Sequence, residues 1–187
     1  MKIVIAMDSF KGSLTSLEAG EAAAKGVTDS LPDSEIILMP LADGGEGTVS
    51  AIVNALGGEM VPAVVRGPLG TLIESSYGMV CAADDTGTSR VTALIEAADA
   101  AGLTKVPSSL RNPRKTTTAG LGDLIRHAVT RGIKDFVIGI GGSATNDCGL
   151  GMMESLGARF FDEAGELVGG TSRRPSGLRK TTIVVNS

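Results

Sequence analysis

Short apolar runs alternate with helix-like segments along the first third of the chain. Residues 2–7 and 35–40 are apolar runs of strand length, and each leads into a loop that contains glycine and acidic residues. A helical pattern follows each loop: the first begins near Ser16, which we expect to cap it, and the second covers residues 48–57 up to a glycine pair. This order of strand, loop and helix predicts a parallel α/β sheet.

The middle of the chain continues with strand-like runs at residues 60–65 and 72–83, separated by glycine and proline. Residues 91–97 fit a strand or a helix equally well, because their periodicity does not decide between the two. Apolar residues at helical spacing predict an amphipathic helix over 121–129. The remaining predicted elements are a strand over 135–140, a helix over 149–156 and a strand over 158–161.

Composition excludes several classes of protein. Hydrophobic residues make up 42% of the 187 residues and charged residues 20%, which is typical of a globular chain with a substantial core. No apolar run approaches the ~20 residues of a membrane span, and the strand-like run after Met1 does not fit a secretory signal. Two cysteines and one histidine provide neither a disulfide framework nor a histidine-based metal site. We therefore expect a reduced, cytoplasmic protein with no membrane partner.

Charge and aromatic content also argue against a nucleic-acid partner. The formal net charge is −4, and only 3% of the residues are aromatic, which leaves few rings for nucleobases to stack on. The charge is uneven, since residues 171–187 contain four basic side chains and no acidic one. The last residues therefore differ in kind from the acidic body of the chain.

Glycine is the compositional outlier, at 26 residues, and it concentrates in three loops that follow predicted strands. These loops are Asp8–Ser13, Asp43–Thr48 and Gly141–Asp147. The carboxyl ends of parallel strands carry ligand sites, and glycine lets backbone N–H groups approach an anion. Carboxylates in such loops would repel a phosphate unless they bind a metal or accept a proton. Lys11 together with these carboxylates and glycines therefore indicates phosphoryl transfer with Mg²⁺.

Simpler interpretations of single residues remain open. Asp8 or Asp147 alone fits a turn former or a helix cap equally well, and Gly44-Gly45 fits a tight turn. The chain has neither a Walker A motif nor a dinucleotide-binding fingerprint. Four further side chains carry separate expectations. We expect His127 in solvent, Cys81 in the core, and Arg66 on the surface or bound to a carboxylate. Glu96 is a candidate functional residue, because burying an acid requires a purpose or a partner.

Five sequence stretches carry a resemblance to a known family. They are MDSFKGSLTS (residues 7–16), PLADGGEGT (40–48), ALIEAADAAGL (93–103), RNPRKTTTAGLGDLI (111–125) and GIGGSATNDCGLGM (139–152). In this order and spacing they resemble the bacterial glycerate kinase family. The resemblance implies an ATP- and Mg²⁺-dependent kinase that phosphorylates D-glycerate, usually to 2-phosphoglycerate. It also implies two α/β domains, one inserted into the other.

Carried over residue by residue, the resemblance implies a site at the three loops. The catalytic residues would be Asp8, Lys11, Asp43 and Asp147. Substrate and phosphate would be bound by Ser9, Gly44, Gly45, Glu46, Gly141, Gly142, Ser143 and Asn146. From their chemistry, Lys11 would neutralise the transferring phosphate, one of the three aspartates would accept the glycerate hydroxyl proton, and another would hold Mg²⁺.

The resemblance also fixes the expected domains. Residues 1–66 would form the N-terminal part of a Rossmann/flavodoxin-like parallel sheet domain, which is incomplete, and residues 67–170 part of the inserted α/β domain. We expect the family-like sequence to end near residue 170 and interpret the basic tail, 171–187, as out-of-frame coding.

Two departures from the family pattern qualify the function. Cys148 stands where the family usually has glycine, in a loop that requires close backbone approach or a positive φ. The family's chains are also roughly twice as long as this one. The alternative to a working kinase is therefore an inactive fragment that at most binds nucleotide or phosphate, or that pairs with a separately encoded C-terminal half.

Overall fold

The first structural unit is a parallel strand pair joined by a helix. The computed structural model describes residues 1–10, 13–42, 44–83, 87–162, 164–168 and 182–184. Strands β1 (Lys2–Ile5) and β2 (Glu35–Leu38) pair in parallel, and helix α1 (Ser16–Ser30) connects them. The parallel arrangement predicted from the alternating pattern is confirmed for this pair.

The N-cap of helix α1 lies one residue before the expected one. Its N-cap is Thr15, whose hydroxyl accepts a hydrogen bond from the Glu18 N–H at 3.2 Å. The Glu18 carboxylate in turn accepts from the Thr15 N–H at 2.8 Å. The expectation that Ser16 caps the helix was wrong, because a glutamate three residues after Thr15 completes a capping box there.

A four-stranded sheet forms the larger part of the described chain. Its strands are β3 (Glu59–Arg66), β4 (Leu72–Ala83), β5 (Ser89–Glu96) and β6 (Asp135–Gly139), in that order across the sheet. The first three strands pair antiparallel, whereas β5 and β6 pair in parallel. The α/β class is confirmed, with a mixed second sheet in place of a purely parallel one. The ambiguous run 91–97 is strand through Glu96 and helix from Ala97.

Helices cover both faces of this sheet. On one face α4 (Ala119–Thr130) packs on a core that includes the fully buried Tyr77, Ile95 and Leu124. On the other face α2 (Thr48–Leu56) packs on β4 and β5 through Val49 and Val53. A short helix, α3 (Ala97–Ala101), continues directly from β5. The carboxyl ends of β5 and β6 therefore emerge next to each other, between the two helical layers.

The last described elements are α5 (Leu150–Ser155) and a small antiparallel sheet. Its strands are β7 (Arg159–Phe161), β8 (Leu167–Val168) and β9 (Thr182–Val184), in the order β8-β7-β9. The expected domain boundary at residue 66 falls at the end of β3, a strand that pairs along its whole length with β4. The division into two domains stays a prediction.

None of the helices within the described ranges is long and apolar enough to cross a membrane.

Two single-residue expectations were wrong, and a third is decided between its alternatives. Cys81 is exposed, because it pairs with the equally exposed Val91 toward the far end of the β4–β5 hairpin. His127 is half-buried, since its ring packs edge-on against the buried Tyr77 with centroids 5.7 Å apart. Arg66, expected on the surface or bound to a carboxylate, is bound to one: its guanidinium donates to Asp123 at 2.7 and 2.8 Å.

Candidate active site

The second and third glycine loops touch through their backbones. The N–H of Gly141 donates a hydrogen bond to the carbonyl oxygen of Gly44 at 3.0 Å. A Cβ at Gly141 would lie 2.7 Å from the nitrogen of Gly45, and one at Gly139 would lie 2.5 Å from the carbonyl oxygen of Gly44. These glycines are therefore required by close backbone approach between the loops.

The first loop meets the second across a cavity of about 310 Å³. The first loop and the start of α1 provide most of its wall, and the second loop contributes Glu46 and Gly47. The lining residues are Ser9, Phe10, Ser13, Leu14, Thr15, Ser16, Glu18, Glu46 and Gly47. All three predicted loops thus converge on the segment Gly44–Gly47.

Residues 101–104 attach the third loop to the second. The carbonyl oxygen of Gly142 accepts from the Leu103 N–H at 3.0 Å, and the Ala144 N–H donates to the carbonyl oxygen of Ala101 at 2.8 Å. The hydroxyl of Thr104 donates to the carboxylate of Glu46 at 2.8 Å. Glu46 and Gly142 are therefore both held by the 3₁₀ turn that follows α3, Leu103–Lys105.

Glu96 reaches the second loop from the carboxyl end of β5. Its carboxylate is buried and accepts hydrogen bonds from the N–H groups of Val49, at 2.6 Å, and Gly47, at 3.2 Å. Burial raises the pKa of Glu96, although the two N–H groups act to lower it. The partner that a buried acid requires is thus the N-terminus of α2.

Asp147 is occupied by hydrogen bonds within the fold. Its carboxylate accepts from the Thr118 N–H at 2.8 Å, from the Thr118 hydroxyl at 2.9 Å, and from the N–H groups of Gly149 and Gly151 at 3.2 Å each. These bonds fasten the N-terminus of α4 to that of α5. The geometry gives Asp147 the cap role that its sequence position left open beside a catalytic one.

Cys148, next to Asp147, has a φ of 53°, and within the described ranges it is the only residue other than glycine with a positive φ. Of the two requirements expected at this position, close backbone approach or a positive φ, the structure shows the positive φ, which explains why glycine suits it.

The other predicted site residues fall into three groups: those exposed on the loops, those whose hydrogen bonds hold a loop together, and those outside the described residues. Asp8 is exposed and accepts from the Ser9 N–H at 2.7 Å. Ser143 and Asn146 are exposed on the third loop. The Gly44 N–H donates to the Thr48 hydroxyl at 3.1 Å, so this amide forms a hydrogen bond within its own loop. Lys11 and Asp43 lie outside the described residues.

Some residues of the site carried no recognised signal in the sequence. Thr104 contacts Glu46 from 58 residues away, and no motif pointed to it. Thr118, the main partner of Asp147, belongs to the run Thr116-Thr117-Thr118 before α4, whose position before an apolar helix could have indicated a cap.

The described residues contain no group of three or more histidine, cysteine or acidic side chains that could hold a metal ion. Magnesium in phosphoryl transfer is commonly held by one or two carboxylates together with the phosphates of the substrate. Asp8, exposed at the carboxyl end of β1, fits that sparser arrangement.

Comparison with known proteins connects this geometry to a family. The model of the Glycerate kinase family matches residues 3–183. The chain belongs to the glycerate kinase family. It is 48% identical to a glycerate kinase from Bacillus subtilis (strain 168) over 169 residues, which cover 90% of this chain and 42% of the relative. It is 46% identical to the glycerate 2-kinase of Escherichia coli (strain K12) over 169 residues, 90% of this chain and 42% of the relative.

A solved structure shares the fold. The crystal structure assigned as glycerate kinase 2 from Salmonella typhimurium LT2 superposes with a TM-score of 0.68 at 47% identity, covering 90% of this chain and 44% of that chain. The chain therefore spans less than half the length of the glycerate kinases it matches.

The comparisons differ in how far they extend into the basic tail. The family model matches to residue 183, and a glycerate kinase from Bacillus cereus (strain ATCC 10987 / NRS 248) aligns at 44% identity over 184 residues, 98% of this chain and 45% of the relative. The relatives from Bacillus subtilis and Escherichia coli align over 169 residues. The end of the family-like sequence near residue 170 and the out-of-frame interpretation of residues 171–187 therefore stay predictions.

Proposed function

We propose that this chain carries part of the active site of an ATP-dependent kinase that phosphorylates D-glycerate to 2-phosphoglycerate. The observation that supports this most is the convergence of the three glycine loops on Gly44–Gly47, beside a cavity of about 310 Å³. Loops at the carboxyl ends of strands are where α/β proteins bind phosphorylated ligands.

The proposed chemistry assigns a separate role to each charged residue of the first two loops that it uses. Lys11 neutralises charge on the transferring phosphoryl group. Asp43 accepts the proton of the glycerate hydroxyl as that oxygen bonds to the γ-phosphorus and the bond from phosphorus to the ADP oxygen breaks. When bound, Mg²⁺ would neutralise charge on the phosphates, and Asp8 would be its carboxylate ligand. Asp147 positions the helix N-termini around the third loop.

A coupled assay for ADP release tests the proposal. We expect the purified chain to release ADP only when both ATP and D-glycerate are present, and we expect Lys11→Ala and Asp8→Asn to lower the turnover about 100-fold or more. Asp33→Asn, at an exposed acid in the connection between α1 and β2, serves as the matched control and should not change turnover. Absence of glycerate-dependent ADP release would rule out activity of the chain by itself.

The length of the relatives favours a second candidate function. Because the chain covers only 42–45% of each curated relative named above, it would bind ATP or phosphate and turn over glycerate only together with the remaining part. If this second function is the right one, the chain alone binds ATP in equilibrium dialysis, and glycerate-dependent ADP release appears only when the remaining part of the Bacillus subtilis relative is added. A cytoplasmic location stays a prediction.

A further inference from the structure

Glu96 is the buried acid beside the cleft to which the proposed function assigns no task. It ends β5, where it pairs with Gly139 of the parallel strand β6. The third glycine loop leaves β6 at that point. Glu96 is only 8% exposed, so its carboxylate lies under the second loop, away from solvent.

The carboxylate replaces a local helix cap. Gly47 is the N-cap of α2, has a φ of 87° and provides no side chain for capping. The two oxygens of Glu96 accept from the Gly47 N–H at 3.2 Å and from the Val49 N–H at 2.6 Å, and the Val49 bond joins residues 47 positions apart. A negative charge at a helix N-terminus is also favoured by the helix dipole.

The second loop is consequently attached at both of its ends. At its start, the carbonyl oxygen of Gly44 accepts from Gly141 of the third loop, and at its end Gly47 donates to Glu96. A serine or aspartate at position 47 could cap the helix locally, but it would not connect the loop to β5. Burying a carboxylate beside Asp99 and Glu46 carries a cost that a simple cap does not require.

We propose that Glu96 is a positioning residue that holds the Gly44–Gly47 segment in the conformation that binds the phosphates of ATP. This proposal rests on the proposed function, because it assumes that the cleft receives a nucleotide. Glu96 itself does not contact the reacting atoms.

Two variants separate the two hydrogen bonds. In Glu96→Gln the amide oxygen can still accept from Val49, whose bond is the shorter, while the NH₂ group cannot accept from Gly47. In Glu96→Ala both acceptors are lost. Hydrogen exchange should therefore show loss of protection at the Gly47 amide in both variants, and at the Val49 amide in Glu96→Ala alone.

ATP binding distinguishes positioning from stability. We expect the Kd for ATP to rise about tenfold in Glu96→Gln, and further in Glu96→Ala, since a hydrogen bond to a charged group contributes on that scale. Val53→Ala, which removes methyl groups from the buried face of α2, is the stability control: it should lower Tm and leave the Kd within about twofold.

Unchanged ATP affinity in both Glu96 variants, with exchange lost as described, would reduce Glu96 to a helix cap and overturn the proposal. If the unaltered chain does not bind ATP, the proposed function fails, and the positioning role of Glu96 fails with it. If the unaltered chain binds ATP, the two Glu96 variants test the positioning role by itself.

Discussion

The guanidinium of Arg66, on β3, donates two hydrogen bonds to the carboxylate of Asp123, on α4, at 2.7 and 2.8 Å. The Ser155 hydroxyl, on α5, also donates to Asp123. Three elements that are distant along the chain are joined at this one carboxylate, which is itself buried. A buried charge that loses its partner is expensive, so this cluster should make the fold sensitive to acid.

The acid sensitivity follows from the pKa of Asp123. Burial would raise it, but the hydrogen bonds from Arg66 and Ser155 outweigh burial and lower it from 3.8 to about 2. A carboxyl whose pKa falls on folding stabilises the protein above its unfolded value, and this contribution is lost as pH falls from about 4 toward 2. The shift corresponds to roughly 2 kcal/mol of unfolding free energy at neutral pH.

We therefore expect Asp123→Asn to destabilise the protein by about 2 kcal/mol at pH 7 and to flatten its loss of stability between pH 4 and 2. Urea unfolding across this pH range measures both effects. Asp135→Asn is the control, because its 3.9 Å ion pair with Arg90 is exposed and contributes under ~1 kcal/mol. If the unfolding free energy of Asp123→Asn falls between pH 4 and 2 as steeply as that of the unaltered protein, the role of this pair is contradicted.

Cys148→Gly should stabilise the protein by about 1 kcal/mol, because glycine adopts a φ of 53° without the steric cost that a Cβ carries. Cys148→Ala keeps the Cβ and should bring no such gain. Thermal unfolding of the two variants side by side measures the difference, and equal Tm values would show that the backbone there is unstrained.

Gly141→Ala should separate the second and third loops, because its Cβ would lie 2.7 Å from the backbone nitrogen of Gly45. We expect a loss of about 1–3 kcal/mol in unfolding free energy. Gly26→Ala, inside α1 with open space around the position, should instead gain about 0.5–1 kcal/mol. Chemical denaturation of both variants checks the contrast, and a neutral Gly141→Ala would disprove the close contact.

Thr15→Ala should cost about 1 kcal/mol, because it removes the N-cap hydroxyl of α1. Ser16→Ala, one residue further on, should have little effect. Circular dichroism during thermal unfolding measures the loss of stability in both variants. A larger loss in Ser16→Ala than in Thr15→Ala would show that Ser16 is the cap.

Periodicity correctly predicted the elements whose type follows from the pattern of their own residues. The helix expected over 121–129 is α4, and the strand expected over 72–83 is β4. The cap of α1 was missed by one residue because Thr15 and Ser16 can both cap, and only the contact with Glu18 separates them.

Contacts between distant elements limited what could be predicted for the site. Glycine clustering marked the loops correctly, but it could not reveal that Gly141 faces the backbone of the second loop. The need for a partner at Glu96 was visible in the sequence, whereas its identity, an amide 47 positions earlier, was not. His127 was misjudged for the same reason, since Tyr77 lies on another element.

The bond from Glu96 to Val49, across 47 residues, has a consequence for how the cleft forms. Closing a loop of that size loses conformational entropy before any stabilising contact forms. Pairings at long sequence separation therefore tend to form slowly. The second loop can take its final shape only once β5 has joined its sheet. An isolated peptide spanning residues 40–48 would lack that support, and the cleft should mature late in folding, as a product of the whole sheet.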